Sequence, residues 1–179
     1  MPKASPKVLL GVTGSIAAYK AAELARLMQK KGWDVWVVMT TCATQYVGPL
    51  TFRALTGRPV PHGGFAELEQ ETYTHLGLAE GAAAMIVAPC SAQTLARLAH
   101  GFADDVLSCT ALALAAPLLV APAMNTRMWN HPAVQENVER GATVDNTVLQ
   151  QQRQHLQQVR LTRAEKARYP NAIGTVVIV

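Results

Sequence analysis

Three short stretches of this sequence have the residue types and spacing to hold a small anionic ligand. The first is Thr13-Gly14-Ser15, between an apolar run ending at Val12 and a helical pattern that begins near Ile16. A tight turn of small residues entering a helix gathers unpaired backbone N–H groups and the positive end of the helix dipole, which suits a cofactor phosphate. The second is Ser91-Ala92-Gln93-Thr94 and the third Met124-Asn125, each at the exit of another apolar run. The first turn holds only Gly11 and Gly14, so it is neither the three-glycine dinucleotide fingerprint nor a P-loop, which ends in Gly-Lys-Ser/Thr. A glycine turn of this kind serves structure as often as it binds phosphate. The other chemically capable groups have ordinary readings too: His75 as a surface histidine, Asn125 as a helix cap, Met124, Met128 and Trp129 as core, and Cys90 and Cys109 as small buried hydrophobes.

These stretches need a scaffold that brings them to one edge. Lys7 to Val12 reads as a strand buried on both faces, rich in branched residues and bounded by glycine. The helix after it has Ser15 as its N-cap and Gly32 at its end, with Ile16, Tyr19, Leu24, Leu27 and Met28 on the apolar side. Trp33 to Met39 is a second strand that exits at Thr40-Thr41-Cys42. Pro49 to Leu55 predicts a short helix, and 57–73, rich in Gly, Pro and acidic groups, a surface loop. Met85 to Ala88 is a third strand, followed by a helix capped by Ser91 and broken at Gly101. Ala103 to Ala115 predicts a helix with Asp104 and Asp105 in its first turn. Leu118 to Ala121 is a fourth strand, and Pro132 to Arg140 a helix ended by Gly141. Residues 142–179 diverge from this rhythm, with a polar run Gln150 to Gln158, a possible helix Thr162 to Arg168 and a closing strand Thr175 to Val179. The alternation predicts an α/β fold: a single domain over 1–179, behind a flexible 1–6, built as a doubly wound parallel sheet in a Rossmann-like or flavodoxin-like three-layer sandwich.

Composition narrows the function classes. The chain has 179 residues, 50% of them hydrophobic and 16% charged, which suits a compact core and excludes a disordered or fibrous chain. The net charge of +4 is mild and partly confined to Arg153–Arg168, which argues against a nucleic-acid partner. Three cysteines without C-x-x-C spacing argue against zinc and against a disulfide framework, and fit a reducing cytoplasm. The longest apolar run, Ala111 to Met124, contains Pro117 and Pro122 and is too short to span a bilayer, so no membrane role is expected.

Read together, five motifs resemble the homo-oligomeric flavin-containing cysteine decarboxylases, which include phosphopantothenoylcysteine decarboxylase and the decarboxylases of lantibiotic-type precursor peptides. They are Gly11-Val-Thr-Gly-Ser-Ile-Ala-Ala-Tyr-Lys20, Pro49-Leu-Thr-Phe-Arg-Ala-Leu-Thr-Gly-Arg-Pro-Val60, Thr74-His-Leu-Gly-Leu-Ala79, Ala88-Pro-Cys-Ser-Ala-Gln-Thr94 and Pro122-Ala-Met-Asn-Thr-Arg-Met-Trp129. The last is the most specific. The resemblance runs from Lys7 to Gly141. It implies FMN as cofactor, its phosphate near Gly14, Ser15 and Ile16, with further contacts from Thr40, Ala43, Ser91, Gln93, Thr94 and Met124. It implies His75 as the catalytic base, Asn125 as the holder of the substrate carboxylate, and Met128 beside it. It also implies a homo-trimer or an assembly of trimers, with the site at subunit contacts.

That chemistry is coherent. Loss of CO2 from a cysteine leaves a carbanion with no place for its charge; oxidation of the thiol-bearing carbon to a thioaldehyde creates one, and decarboxylation then yields an ene-thiol. A histidine is the side chain suited to proton transfer near neutral pH, which fits the role implied for His75, and Asn125 can orient a carboxylate without the full charge that opposes its loss. Three features depart from the family: Gln93 replaces the usual Asn, Gly81-Ala82-Ala83 replaces Trp-Ala-Asp, and no Ala-Cys-Gly clamp follows Gly141. In the coenzyme A branch the clamp cysteine helps return hydrogen to the ene-thiol. Its absence favours a cysteine-ended peptide as substrate, while the Pro49–Val60 match favours a small cysteine conjugate, phosphopantothenoylcysteine. A binder that keeps FMN without turnover is a third possibility, against which His75 and Asn125 speak.

Overall fold

The computed structural model describes residues 5–64, 74–142 and 146–148. In chain order these form β1 (Lys7–Val12), α1 (Ala18–Lys30), β2 (Asp34–Met39), α2 (Thr41–Thr44), α3 (Pro49–Thr56), α4 (Thr74–Ala79), β3 (Ala82–Cys90), α5 (Ala92–His100), α6 (Val106–Leu112), β4 (Leu118–Pro122), α7 (Thr126–Trp129), α8 (Pro132–Ala142) and β5 (Asn146–Val148). The strands pair in parallel in the order β2-β1-β3-β4-β5. This is the flavodoxin-like order, which reverses direction at β1/β3 and opens a crevice beyond the carboxyl ends of those strands.

The sheet is apolar on both faces because helices cover both. Val8, Leu10 and Val12 of β1 pack with Val35, Val37 and Met39 of β2 against Ala18, Ala21, Ala25 and Met28 of α1 and Phe52 of α3. Leu9 faces the other way and joins Val38, Met85 and Val87 beneath Leu95 of α5, Val106 and Leu107 of α6, and Val138 of α8. The alternation along β1 thus feeds two cores, which accounts for an uninterrupted apolar run. Gly57 and Gly101 end α3 and α5 in the left-handed conformation, at φ 68° and 71°, where a Cβ is unfavourable.

The structure corrects several sequence expectations. The buried stripe of α1 is Ala18, Ala21, Ala25 and Met28, whereas Ile16, Tyr19 and Leu27 are 84%, 62% and 49% exposed. Small side chains let α1 lie close to the sheet, and the bulky ones point away. Ser15 is not the cap of α1: the N-cap is Ala17, without a side-chain bond, and the Ser15 hydroxyl accepts from the Ala17 N–H at 3.3 Å in a turn ahead of the helix. The expected helix Ala103–Ala115 is shorter, since Asp105 stops it by serving as the N-cap of α6. Its carboxylate accepts from the Ser108 N–H at 2.7 Å while the Ser108 hydroxyl donates to it at 2.9 Å. Helix α8 continues through Gly141 to Ala142. Helix α2 and strand β5 were not foreseen. The expected loop is described only over 57–64, where His62 forms an isolated parallel bridge with Met39. The expected elements Thr162–Arg168 and Thr175–Val179 lie outside the described residues, and within the described ones no helix is long and apolar enough to cross a membrane.

Candidate functional site

The carboxyl ends of β1, β2 and β3 meet in a cleft of about 430 Å³. What joins them is Thr13, fully buried just past β1. Its hydroxyl donates to the Pro89 carbonyl at 2.8 Å and accepts from the Ser91 N–H at 2.8 Å. The Thr13 N–H also reaches the Pro89 carbonyl, and the Thr40 N–H donates to the Val12 carbonyl at 3.1 Å, tying in β2. Thr13 belongs to the first glycine turn, but its role in joining the strands has no periodic signature in the sequence. Its only signal was a hydroxyl in the middle of a glycine turn, where nothing local needs one. Thr13→Val is expected to lower the free energy of unfolding by about 1 to 3 kcal/mol, because it leaves the partly buried Ser91 N–H without its partner and removes the shorter of two bonds to the Pro89 carbonyl. Thr13→Ser, which loses only a methyl group, should cost about 1 kcal/mol. Denaturant titration of the two variants checks this, and equal losses would remove the hydroxyl from the argument.

At the β1 turn Gly14 is required by close approach, not by its φ. A Cβ there would lie 2.3 Å from the Cys42 Sγ and 2.8 Å from the Cys42 Cβ. The first turn of α2 therefore seats directly against the bare Gly14 backbone. Thr40 caps α2, its hydroxyl accepting from the Ala43 N–H at 3.3 Å. Across the cleft Ser91 caps α5, accepting from the Thr94 N–H at 3.2 Å, as its sequence position suggested. The first N–H groups of an α-helix have no partner within it, so the start of α5 brings donors to the cleft wall.

The far wall is charged. Arg97, one turn along α5, donates to Asp105 at 3.1 Å and to Asp104 at 2.8 Å. Asp105 is the better buried of the two carboxylates, so its bond is shielded from water while the Asp104 pair is open to solvent. The three cysteines are free thiols: Cys42 is exposed at the cleft, and Cys90 and Cys109 are buried. Burial pushes the Cys90 thiol well above its ordinary pKa. Cys109 is also raised, by burial first and then by the Asp105 and Asp104 carboxylates, and its thiol donates to the Ala103 carbonyl. Neither thiol is poised as a nucleophile.

Of the residues singled out in the sequence, Gly14, Thr40, Ser91, Gln93, Thr94 and Met128 line the cleft together. Ser15, Ile16, Ala43, Met124, Asn125 and His75 are not among its lining residues. Ala43 is the fully buried residue of α2, and Met124 packs against the second core. Asn125 is exposed and caps α7, its side-chain oxygen accepting from the Arg127 N–H at 2.8 Å. His75 sits half-buried near the start of α4, the helix that precedes β3. Thr41, Cys42, Arg97, Asp104 and Asp105 line the cleft without having been singled out. They come from segments that read locally as strand exit, helix face and cap.

Residues 2–169 match the protein family described as Flavoprotein. The chain is 46% identical over 134 residues to the probable phosphopantothenoylcysteine decarboxylase of Streptococcus mutans, covering 74% of this chain and 75% of that protein. It is 42% identical over 135 residues to the coenzyme A biosynthesis bifunctional protein CoaBC of Vibrio vulnificus; that match takes in 75% of this chain but only 34% of the larger protein. Among solved structures, the FMN-dependent cysteine decarboxylase SpaF superposes with a TM-score of 0.75 at 32% identity, over 82% of this chain and 84% of that one.

Proposed function

The chain belongs to the Flavoprotein family, and on that premise we propose that it is an FMN-dependent decarboxylase acting on the carboxyl group of a cysteine. The observation that carries this reading is the cleft itself, where three strand exits bring Gly14, Thr40, Ser91, Gln93 and Thr94 to one space. The donors around it suit a flavin phosphate and ring. Hydroxyl and amide groups of Thr40, Ser91, Gln93 and Thr94 line the same cleft, and Arg97, whose charge is already matched by Asp104 and Asp105, leaves the phosphate to N–H and hydroxyl groups. The β1–α1 turn over Gly14, Ser15 and Ile16 takes the phosphate, with Thr40, Ala43 and Met124 completing the surroundings.

Bound FMN supplies the electron sink for oxidation of the thiol-bearing carbon, which a protein side chain cannot provide. The chain supplies the rest. His75 accepts a proton from the substrate during that oxidation. Asn125 turns its amide to the carboxylate and fixes its direction, and Met128 in the cleft wall packs beside the substrate. Because His75 and Asn125 do not line the cleft, a second copy completes the site in a homo-trimer or an assembly of trimers. The exposed Ile16 in the turn before α1, with Tyr19 and Leu27 on that helix, supports this, as an apolar face suited to cover by another copy.

The substrate is a C-terminal cysteine of a peptide, released as the ene-thiol, since the segment after Gly141 offers no clamp cysteine to return hydrogen. A second reading, phosphopantothenoylcysteine, is favoured by the 46% identity to a relative bearing that name. Incubation of the FMN-loaded protein with each substrate separates them. A mass loss of about 46 on a cysteine-ended peptide (CO2 plus two hydrogens) is the expected result, and a loss of about 44 on phosphopantothenoylcysteine selects the second reading, since the hydrogens then return. No change with either, in yellow protein, would leave an FMN binder.

A further inference from the structure

Helix α4, which carries His75, is only six residues long. A helix of that length is not stable alone, so its position is set by what holds it. Two of the contacts that hold it come from Leu78 and from Lys7. Leu78 is buried among the second core cluster. At the other contact the Lys7 ammonium donates to two carbonyls at the carboxyl end of the helix, Gly77 O at 2.9 Å and Glu80 O at 2.8 Å. Terminal helix carbonyls lack intrahelical partners and carry the negative end of the dipole, so a cation there satisfies both needs.

Lys7 is itself fixed. Its backbone pairs in register with Asp34 of β2 and Ala82 of β3. Its side chain lies over the Trp36 ring, 5.1 Å from the centroid; Arg58 also lies over that ring at 4.7 Å and is paired with Asp34 at 3.0 Å. Trp36 in turn donates from its indole N–H to Asp34 at 2.9 Å. Burial lowers the pKa of the ammonium, while the Asp34 and Glu80 carboxylates oppose that shift.

We propose that Lys7 is a positioning residue for His75: by holding the Gly77 and Glu80 carbonyls it locks the rotation and height of α4, and so the place of the imidazole. The inference rests on the reading of His75 as the base. His75 and Leu78 are three residues apart and share a face, so a turn of α4 about its Leu78 anchor swings the ring. A displacement of about 1 Å at a reacting group is enough to cost on the order of 100-fold in rate.

The test compares Lys7→Met, which removes the ammonium but keeps an unbranched chain of similar length, with Lys7→Arg, which keeps the charge, using the FMN-loaded enzyme and His75→Asn as reference. Lys7→Met should lower kcat on the order of tenfold with KM and FMN affinity unchanged, and Lys7→Arg should restore most of it. Hydrogen exchange of the amides in 76–80, followed by mass spectrometry, should speed up in Lys7→Met and return towards normal in Lys7→Arg. Normal kcat in Lys7→Met overturns the proposal, as does a loss that Lys7→Arg does not repair or one that tracks loss of FMN. Activity retained in His75→Asn overturns the reading of His75 instead, whatever Lys7 does.

Discussion

His75→Asn is expected to lower turnover by about 10²- to 10⁴-fold while FMN affinity and absorption stay as in the unaltered protein. The separation of the two effects follows from position. His75 lies in α4 and is not among the residues that line the cleft with Gly14, Ser91 and Thr94, so on the proposed reading its loss removes the base and leaves the cofactor's surroundings in place. Asparagine keeps a similar volume and one hydrogen-bonding edge but cannot titrate, so stability should change little. Stopped-flow reduction of the flavin by substrate, beside an FMN titration, checks both halves. Persistent turnover removes His75 from the mechanism; a parallel loss of FMN places it in the cofactor site.

Gly14→Ala should weaken FMN binding on the order of 100-fold, with the protein still folded. The added Cβ would sit 2.3 Å from the Cys42 Sγ and 2.8 Å from its Cβ. Rotation of the Cys42 side chain relieves the first contact but not the second, so the start of α2 must move away from the β1 turn and the cleft opens. Overpacking of this kind costs about 1 to 3 kcal/mol, and the movement falls where the proposed function places the phosphate. The contact geometry supplies its own control. Cys42→Ala leaves the Cβ in place and should not rescue, whereas Cys42→Gly leaves the Cys42 backbone carbon at 3.4 Å as the nearest remaining atom of that residue and should recover most of the affinity. If both double variants behave alike, steric contact with Cys42 is not why residue 14 is glycine.

The two variants together also test the shared site. Gly14→Ala damages the cleft and His75→Asn the base, so chains carrying one defect each should regain activity on mixing and reassembly if a cleft and a histidine come from different copies. Mixed samples that stay inactive point to a site contained in one chain.

The periodicity of the sequence determined the sheet and the sites of its exits. Strands buried on both faces are uninterrupted apolar runs, so β1 to β4 and the turns after them could be read directly; Ser91 capped α5 because a serine at a helix start bonds locally. Local pattern misjudged α1, where it favoured Ile16, Tyr19 and Leu27 over the alanines, since hydrophobicity ranks bulk while close packing on a sheet rewards its absence. The short α2 and α4 have too few residues to show a period, and β5 joins by pairing with β4. What only the tertiary structure decided is which polar groups meet. Thr13 joins β1 to β3 across 76 residues of chain, and Arg97 reaches Asp104 and Asp105 from the next helix. Gly14 owes its identity to a cysteine 28 residues on in the chain (42 − 14). Such contacts are fixed by how the layers close on one another, and no spacing along the chain encodes them.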